Sequence, residues 1–325
     1  MKLKKIIAIS MASVMTAAML TGCGSSSDNG ASKGKYKIGV IQLTEHVALD
    51  AANDGFCDGL KEEGIEADID QQNAQGDQSA CDTIASKFVN DKKDLVLAIA
   101  TPAAQAIAGK TTTIPICVTA VTDPAEAGLV DSNEAPGTNV TGTSDLTPVK
   151  EQIELLVQLI PNAKTVGILY CSAEDNSLFQ AEIAKKEIEK QGMNYKVFTV
   201  SSTNEIQTVV ESMVGKVDAI YIPTDNMLAS GMSTVSMVAT ENKIPCIVGE
   251  SGMVDNGGLA TYGINYYNLG KITAKMASQI LKGESVPEDM AIEYLAASDC
   301  ELSVNKDIAS ELGIDISGLD LDTEE

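Results

Sequence analysis

Residues 216–226 read KVDAIYIPTDN, and this stretch decides how the rest of the chain is interpreted. The run KVDAI at 216–220 looks like a buried strand, and the strand stops abruptly at Pro223, Thr224, Asp225 and Asn226. Residues 92–102, KKDLVLAIATP, show the same change from apolar to polar about 125 residues earlier. We therefore ask whether the chain contains one structural unit twice.

The neighbouring segments repeat in the same order. KIGVIQLTE at 37–45 matches KTVGILYCS at 164–172, and TIPICVTAVT at 113–122 matches KIPCIVGESG at 243–252. Amphipathic helical segments separate these apolar runs, and such alternation predicts parallel βαβ units. Near-continuous apolar strands are typical of a sheet covered on both faces. The sequence thus predicts an α/β protein made of two Rossmann-like lobes with parallel sheets.

Polar residues follow the predicted strands in both halves. They are Thr101, Asp123, residues 224–226 and Glu250. Ligands of open parallel sheets bind beyond the carboxyl ends of the strands. If the two sheets face each other with these edges, all four positions surround one cleft. The alternative is that they are ordinary solvated loops, which are usually polar.

Composition excludes several functions. The chain of 325 residues has a formal charge of −23, which argues against a nucleic-acid partner. It contains no Arg, so a bound carboxylate would need backbone N–H groups, hydroxyls or Lys. A single His and no CxxC pair predict no metal site and no cofactor. The lack of a P-loop and of material for a nucleophilic triad predicts a protein that is not an enzyme.

The N-terminus has the pattern of a targeting segment. MKLKK is followed by an apolar stretch and by Leu20-Thr21-Gly22-Cys23, which resembles a bacterial lipobox. We expect residues 1–22 to be a lipoprotein signal peptide, Cys23 to be lipidated and 23–34 to be a flexible tether. The protein would then be held on the extracytoplasmic face of the cell membrane by its lipid anchor alone. The alternative is a secretory signal with a chance Cys.

Six further cysteines leave disulfides possible, but their surroundings favour mostly unpaired thiols. They are Cys57, Cys81, Cys117, Cys171, Cys246 and Cys300.

Seven motifs in order carry a family resemblance. They are KIGVIQLTEH, QNAQGDQSA, AIATPAAQA, AVTDP, NVTGTSDLTPV, YIPTDNM and ATYGINYYNLG. Together they resemble the ABC-transporter substrate-binding lipoproteins of the tryptophan/tyrosine-binding (TrpX-like) family. That resemblance implies the type I periplasmic-binding-protein fold, in which three crossing strands join the two lobes. It implies a first lobe of 35–146 plus 266–289 and a second lobe of 147–265 plus 290–325, with the third crossing near Met290–Tyr294.

The resemblance also implies a zwitterionic ligand, most readily an aromatic amino acid. Matching positions in the first lobe for gripping the α-carboxylate are Thr101, Ala103, Ala120 and Thr122. A carboxylate of the second lobe, Asp225 or Glu250, would take the ammonium group. This division agrees with physical chemistry, because helix N-termini bind anions and carboxylates accept hydrogen bonds from ammonium groups.

Other candidates for ligand contact come from the same loops. His46, Tyr170, Phe179, Tyr262 and Tyr266 are candidates for the pocket of the ligand side chain. The remaining candidates are Glu45, Asp123, Ser144, Asp145, Asn176, Ser177, Thr224 and Asn226. Alternatives stay open for several of them: His46 and Glu45 as exposed loop residues, and Asp123 and Asp145 as helix caps.

The predicted function is capture of a small ligand by hinge closure and its delivery to an ABC permease and ATPase, by a monomer. One alternative is an aliphatic amino acid or another small metabolite as ligand. Another is a ligand-sensing lobe for a separate signalling partner. A sugar ligand is less favoured, because the chain has no Trp on which a sugar ring could stack.

Overall fold

The computed structural model describes residues 35–295 and 300–319. The predicted signal peptide, the tether and Cys23 lie outside the described residues and remain predictions. The first half of the described chain alternates strands and helices as expected. Its elements are β1 Tyr36–Gln42, α1 Val47–Glu62, β2 Ala67–Asn73, α2 Gln78–Asn90, β3 Leu95–Ile99, α3 Thr101–Ala108, β4 Ile116–Val121 and β5 Val140–Ser144.

The second half repeats this order. Its elements are α4 Val149–Leu159, β6 Thr165–Cys171, α5 Asp175–Lys190, β7 Asn194–Val200, α6 Ile206–Met213, β8 Ala219–Ile222, α7 Asn226–Ser230, α8 Met232–Glu241, β9 Cys246–Val248, α9 Ser251–Asp255 and β10 Ala260–Gly263. The elements that follow are α10 Tyr266–Lys282, β11 Glu293–Tyr294, β12 Glu301–Val304 and α11 Lys306–Leu312. Short 3-10 turns occupy Thr203–Glu205 and Pro287–Asp289.

Two six-stranded sheets have matching orders. The first runs β11-β5-β4-β3-β1-β2 and the second runs β12-β10-β9-β8-β6-β7. Neighbouring strands of both sheets are parallel, except that β12 runs antiparallel to β10. The predicted α/β fold with two duplicated parallel-sheet lobes is confirmed.

Each sheet is buried by helices on its faces. One apolar cluster fills the first lobe, and two clusters pack on the second sheet. The central strands β3 and β4 are wholly buried, which explains their continuous apolar sequences. Of the cysteines, Cys81, Cys117, Cys171 and Cys246 are buried free thiols and Cys57 is a half-buried one.

The chain passes between the sheets at three places. It leaves the first sheet after Ser144, returns between Gly263 and Tyr266, and leaves again between Tyr294 and Glu301. Strand β11 pairs with β5, through Glu293 with Thr143 and Tyr294 with Ser144. The expected lobe boundary at residue 290 is therefore corrected, because Glu293 and Tyr294 belong to the first sheet.

Helix α10 attaches the returning chain to the first lobe by packing closely on α1. A Cβ atom added to Gly55 would lie 2.0 Å from the Tyr267 carbonyl oxygen, and one added to Gly270 would lie 2.1 Å from the Ala52 carbonyl oxygen. These two glycines let the helix backbones approach. The Tyr267 hydroxyl of α10 also donates to Asp58 of α1.

Within residues 35–295 and 300–319, no helix combines the length and the apolar composition needed to cross a membrane.

The α1–α10 contact provides a test of this packing. We expect Gly270→Ala to lower the free energy of unfolding by about 2–3 kcal/mol, because its methyl group would overlap the α1 backbone. Urea unfolding followed by circular dichroism measures the change. Gly318→Ala is the matched control, since nothing lies within 4 Å of an added Cβ there. Equal stabilities of the two variants would contradict the close approach of the helices.

Candidate functional site

A small cavity lies between the lobes at the carboxyl ends of both sheets. The two walls lie close together, and the cavity volume open to the centre of a water molecule is only about 10 Å³. The first lobe contributes loop residues, β4 and the starts of α1 and α10, and the second lobe contributes loop residues, the start of α5 and α7. The lining residues are His46, Ala48, Leu49, Ala120, Thr122, Asp145, Asn176, Thr224, Asp225, Asn226, Ala229, Glu250 and Tyr266.

Hydrogen bonds from lobe to lobe close the cavity. His46 Nε2 lies 3.2 Å from Asn226 Oδ1. Gln180 Nε2 donates to Thr122 Oγ1 at 3.2 Å and to Thr224 Oγ1 at 2.6 Å, so one buried amide joins both walls. The structure therefore has its two lobes in contact around the site.

A further contact lies at the rim. A Cβ atom added to Gly252 would lie 2.8 Å from the Cβ of Val47, so the start of α9 lies directly against the start of α1. Gln105 Nε2 also donates to Asp175 Oδ2 at 3.0 Å, on the other side of the cleft.

Four buried carboxyl groups surround the cavity, and no lysine lines it. They belong to Asp145, Glu174, Asp225 and Glu250. Burial raises the pKa of Asp145 to about 6 and that of Glu250 to about 7. Burial and the nearby charge of Glu174 raise the pKa of Asp225. A cavity of this kind favours a positively charged occupant.

Two of these carboxylates lie where they do because they cap the N-termini of helices. Asp225 caps α7 by accepting from Leu228 N at 2.8 Å, and it also accepts from Cys171 N at 2.6 Å. Glu250 caps α9 by accepting from Gly252 N at 2.6 Å. Short polar caps of this type fix the start of a helix. Both oxygens of Asp225 are thus occupied by backbone donors.

Asp145 differs, because one of its oxygens has no partner. The Tyr266 hydroxyl donates to Oδ2 at 2.9 Å, whereas Oδ1 is buried and unpaired. Among the described residues the buried unpaired side-chain atoms also include His46 Nδ1 and Asn176 Oδ1. All three residues line the same cavity. Buried polar atoms are normally paired, so these atoms mark where a ligand would bind.

Two strand ends have unusual backbone conformations. Ala100 follows β3 with φ 82° and Ala120 lies in β4 with φ 53°. Positive φ is uncommon for residues with a side chain, and such conformations concentrate at functional sites. Ala100 directly precedes α3, whose first turn has unpaired N–H groups.

Ten of the residues predicted from sequence line this cavity. They are His46, Ala120, Thr122, Asp145, Asn176, Thr224, Asp225, Asn226, Glu250 and Tyr266. Thr101 and Asp123 line an adjoining open groove together with Phe179, and Asn176 belongs to both spaces. Asp123 accepts from Ala125 N and Glu126 N, so it orders its own loop.

The other predicted residues lie outside the cavity lining. Glu45 is exposed, and Ala103 is part of the first-lobe core. Tyr170 and Tyr262 pack in the second-lobe core. Ser144 donates to the Thr122 carbonyl oxygen at 2.6 Å, and Ser177 lies buried beside Asn176.

Sequence reasoning missed two residues that organise the site. Glu174 follows β6, so the rule that polar residues at strand ends mark the cleft could have found it. Gln180 lies in the second turn of α5, where no local pattern distinguishes it from a surface residue. The apolar lining residues Ala48, Leu49 and Ala229 carried no signal either.

Metal binding has no support in the described part of the chain, where no group of three or more His, Cys, Asp or Glu side chains is arranged to hold an ion.

Comparison with known proteins identifies the family. A family model described as ABC transporter substrate binding protein matches residues 37–319. The chain belongs to this family. The expected family of substrate-binding proteins is thereby confirmed.

Similar proteins support this assignment. A tyrosine-binding protein of Clostridioides difficile is 42% identical, with 96% of this chain and 93% of that protein covered. The structure of an ABC domain from Streptococcus pneumoniae in complex with L-Trp is 44% identical, covers 87% of this chain and 96% of that one, and has a TM-score of 0.84.

A second solved structure indicates the conformational state. The ligand-free, open structure of a substrate-binding protein with adhesive properties from Clostridium difficile is 47% identical, with 88% of this chain and 97% of that one covered. Its TM-score is nevertheless only 0.67. The fold of the present chain thus resembles the L-Trp complex more than the open, ligand-free structure. This agrees with the hydrogen bonds between its two lobes.

The buried carboxyl groups make stability depend on pH. A carboxyl group with a raised pKa binds its proton more tightly in the folded state, so its stabilising effect is full below the unfolded pKa and is lost as pH rises through the folded value. Burial lowers the pKa of His46, which acts in the opposite direction below 6.5. We expect Tm without added ligand to be about 5 °C higher at pH 5.5 than at pH 8, measured by calorimetry.

A matched pair of variants separates the cavity from the overall charge. Asp145→Asn should raise Tm at pH 8 and flatten the pH dependence. Asp289→Asn removes the same charge at an exposed position and should leave the pH dependence unchanged. A wild-type Tm that falls steadily from pH 8 to pH 5.5 would contradict the effect of the buried carboxyl groups.

Proposed function

We propose that the chain is a solute-binding lipoprotein of an ABC importer that captures one amino acid, preferably aromatic, in the interlobe cavity. It would be anchored through Cys23 on the extracytoplasmic face and would deliver its ligand, as a monomer, to permease and ATPase subunits. The observation that carries the proposal is the buried Asp145 Oδ1, unpaired in a cavity that contains carboxylates and no cationic side chain.

An ammonium group satisfies this cavity. It brings three N–H donors and a positive charge, and the unpaired Asp145 Oδ1 and Asn176 Oδ1 are acceptors. A charge-assisted hydrogen bond to a buried carboxylate is among the stronger polar contacts. Asp145 is better suited to this role than Asp225, because both Asp225 oxygens already accept from backbone N–H groups.

The α-carboxylate of the ligand would lie toward the first lobe. The N–H groups of Thr101 and Ala103 belong to the first turn of α3, and Ala120 and Thr122 end the neighbouring strand. Helix α3 has eight residues. The N–H groups at its N-terminus, together with hydroxyl groups, can hold a carboxylate without any guanidinium group. The lack of Arg in the chain agrees with this arrangement.

An aromatic side chain is favoured by the relatives and by Tyr266. One similar protein is named for tyrosine and another was solved with L-Trp, and Tyr266 supplies a ring in the cavity wall.

An aliphatic amino acid is the second candidate. The observation in its favour is that the other apolar lining residues, Ala48, Leu49 and Ala229, are small or aliphatic.

Catalysis is not part of the proposal. The only His contacts Asn226, and no cysteine lines the cavity. Burial raises the pKa of Cys117 and Cys246 to about 12, so these thiols stay protonated near neutral pH.

Calorimetric titration tests the proposal. L-Trp, L-Tyr and L-Phe should bind with one site per chain and be recovered unchanged, and L-Leu should bind more weakly. Indole-3-propionate, which lacks the ammonium group, should bind at least about 100-fold more weakly than L-Trp, because it leaves the acceptors unpaired.

Two variants sharpen the test. Asp145→Asn should weaken L-Trp binding at least about 30-fold, because the buried ammonium group loses its countercharge. Asp289→Asn should bind like the wild type. If L-Leu binds more tightly than L-Trp, the aliphatic alternative is correct, and no binding of any amino acid would refute the proposal.

A further inference from the structure

Glu174 contacts the two asparagines of the cavity at once. It is 6% exposed, and its Oε2 accepts from Asn176 Nδ2 at 3.2 Å and from Asn226 Nδ2 at 2.6 Å. Two backbone N–H groups also donate to Glu174: that of Asn226 to Oε2 at 3.2 Å and that of Met227 to Oε1 at 3.0 Å. Since backbone N–H groups can only donate, both Glu174 oxygens act as acceptors.

This arrangement fixes the orientation of both amides. Asn176 turns its Nδ2 toward Glu174 and toward the Thr224 carbonyl oxygen at 3.1 Å. Its Oδ1 is therefore the atom left unpaired at the cavity. Asn226 likewise turns its Nδ2 toward Glu174, which presents its Oδ1 to His46 across the cleft.

The orientation of Asn226 in turn sets the proton on His46. An amide oxygen only accepts, so His46 Nε2 must be the protonated nitrogen in the 3.2 Å contact. Burial keeps the imidazole neutral by lowering its pKa. The remaining nitrogen, Nδ1, is then an acceptor, and it is the buried atom of His46 without a partner.

We propose that Glu174 is a positioning residue that, through Asn176 and Asn226, makes Asn176 Oδ1 and His46 Nδ1 face the ligand as hydrogen-bond acceptors. Asn176 Oδ1, His46 Nδ1 and Asp145 Oδ1 together match an ammonium group, or an ammonium group and one further donor. Glu174 thereby selects ligands rich in donors, although it does not line the cavity. This inference rests on the proposed function only in taking the cavity to be the ligand site.

Nitrogen-15 NMR of the protein tests the inference, because His46 is the only histidine of the chain. With L-Trp bound, the ring should show a single tautomer protonated at Nε2. Glu174→Gln cannot accept from all four donors, so Asn226 is released, the tautomer becomes mixed, and the Kd for L-Trp rises about tenfold or more. The matched control Glu189→Gln, at an exposed position of α5, should change neither.

A second readout needs no ligand. Glu174, Asn176 and Asn226 all belong to the second lobe, so Glu174→Gln should shift the side-chain amide resonances of both asparagines whether the cleft is open or closed. If the wild type binds no amino acid, the proposed function fails, while these resonances still decide the role of Glu174. Unchanged amide resonances in Glu174→Gln would overturn the inference.

A further variant covers the case in which Glu174→Gln does not fold. Asn226→Ala keeps the carboxylate and removes its link to His46, and Ala is well tolerated in the first turn of a helix. The variant should lose the fixed tautomer and bind L-Trp several-fold more weakly. A single Nε2-protonated tautomer in Asn226→Ala would overturn the inference.

Discussion

The constraint on which this structure depends is the uncompensated negative charge inside the interlobe cavity. Asp145, Asp225 and Glu250 line it, Glu174 lies behind it, and none of the lining residues in 35–295 and 300–319 is a lysine. Buried carboxylates without a partner are unfavourable, and burial raises the pKa values of Asp145 and Glu250 to about 6 and 7. Under the proposed function, a ligand that brings an ammonium group and several donors would remove this penalty, and its binding would be coupled to closure of the lobes.

The duplicated fold creates the cavity by bringing two similar sheet edges together. In the second sheet, β8 and β9 are followed by acidic residues that serve both the helices and the cleft. Asp225 and Glu250 show the double use, because each starts a helix and also lines the cavity. The interlobe contacts of His46 and Gln180 then join the two walls of the cavity.

Periodicity made the lobes predictable, since an apolar strand followed by an amphipathic helix is a local pattern repeated along the chain. The positions of Thr224, Asp225 and Glu250 at the cavity were also predictable, because each follows an apolar strand and ligands bind beyond the carboxyl ends of parallel strands. It did not predict which tyrosines reach the cavity, because Tyr170 and Tyr262 differ from Tyr266 only in the direction that the folded backbone gives their rings. The role of Gln180 could not be predicted either, since its partners in the cavity, Thr122 and Thr224, are distant from it in sequence.

The most direct test of the central claim is a crystal structure of the protein with a bound amino acid. We predict that the ammonium nitrogen lies about 3 Å from Asp145 Oδ1 and within hydrogen-bonding distance of Asn176 Oδ1, with the lobes closed around it. A ligand bound in the open groove beside Phe179, or one whose carboxylate faces the second lobe and whose ammonium group lies away from Asp145, would contradict the account.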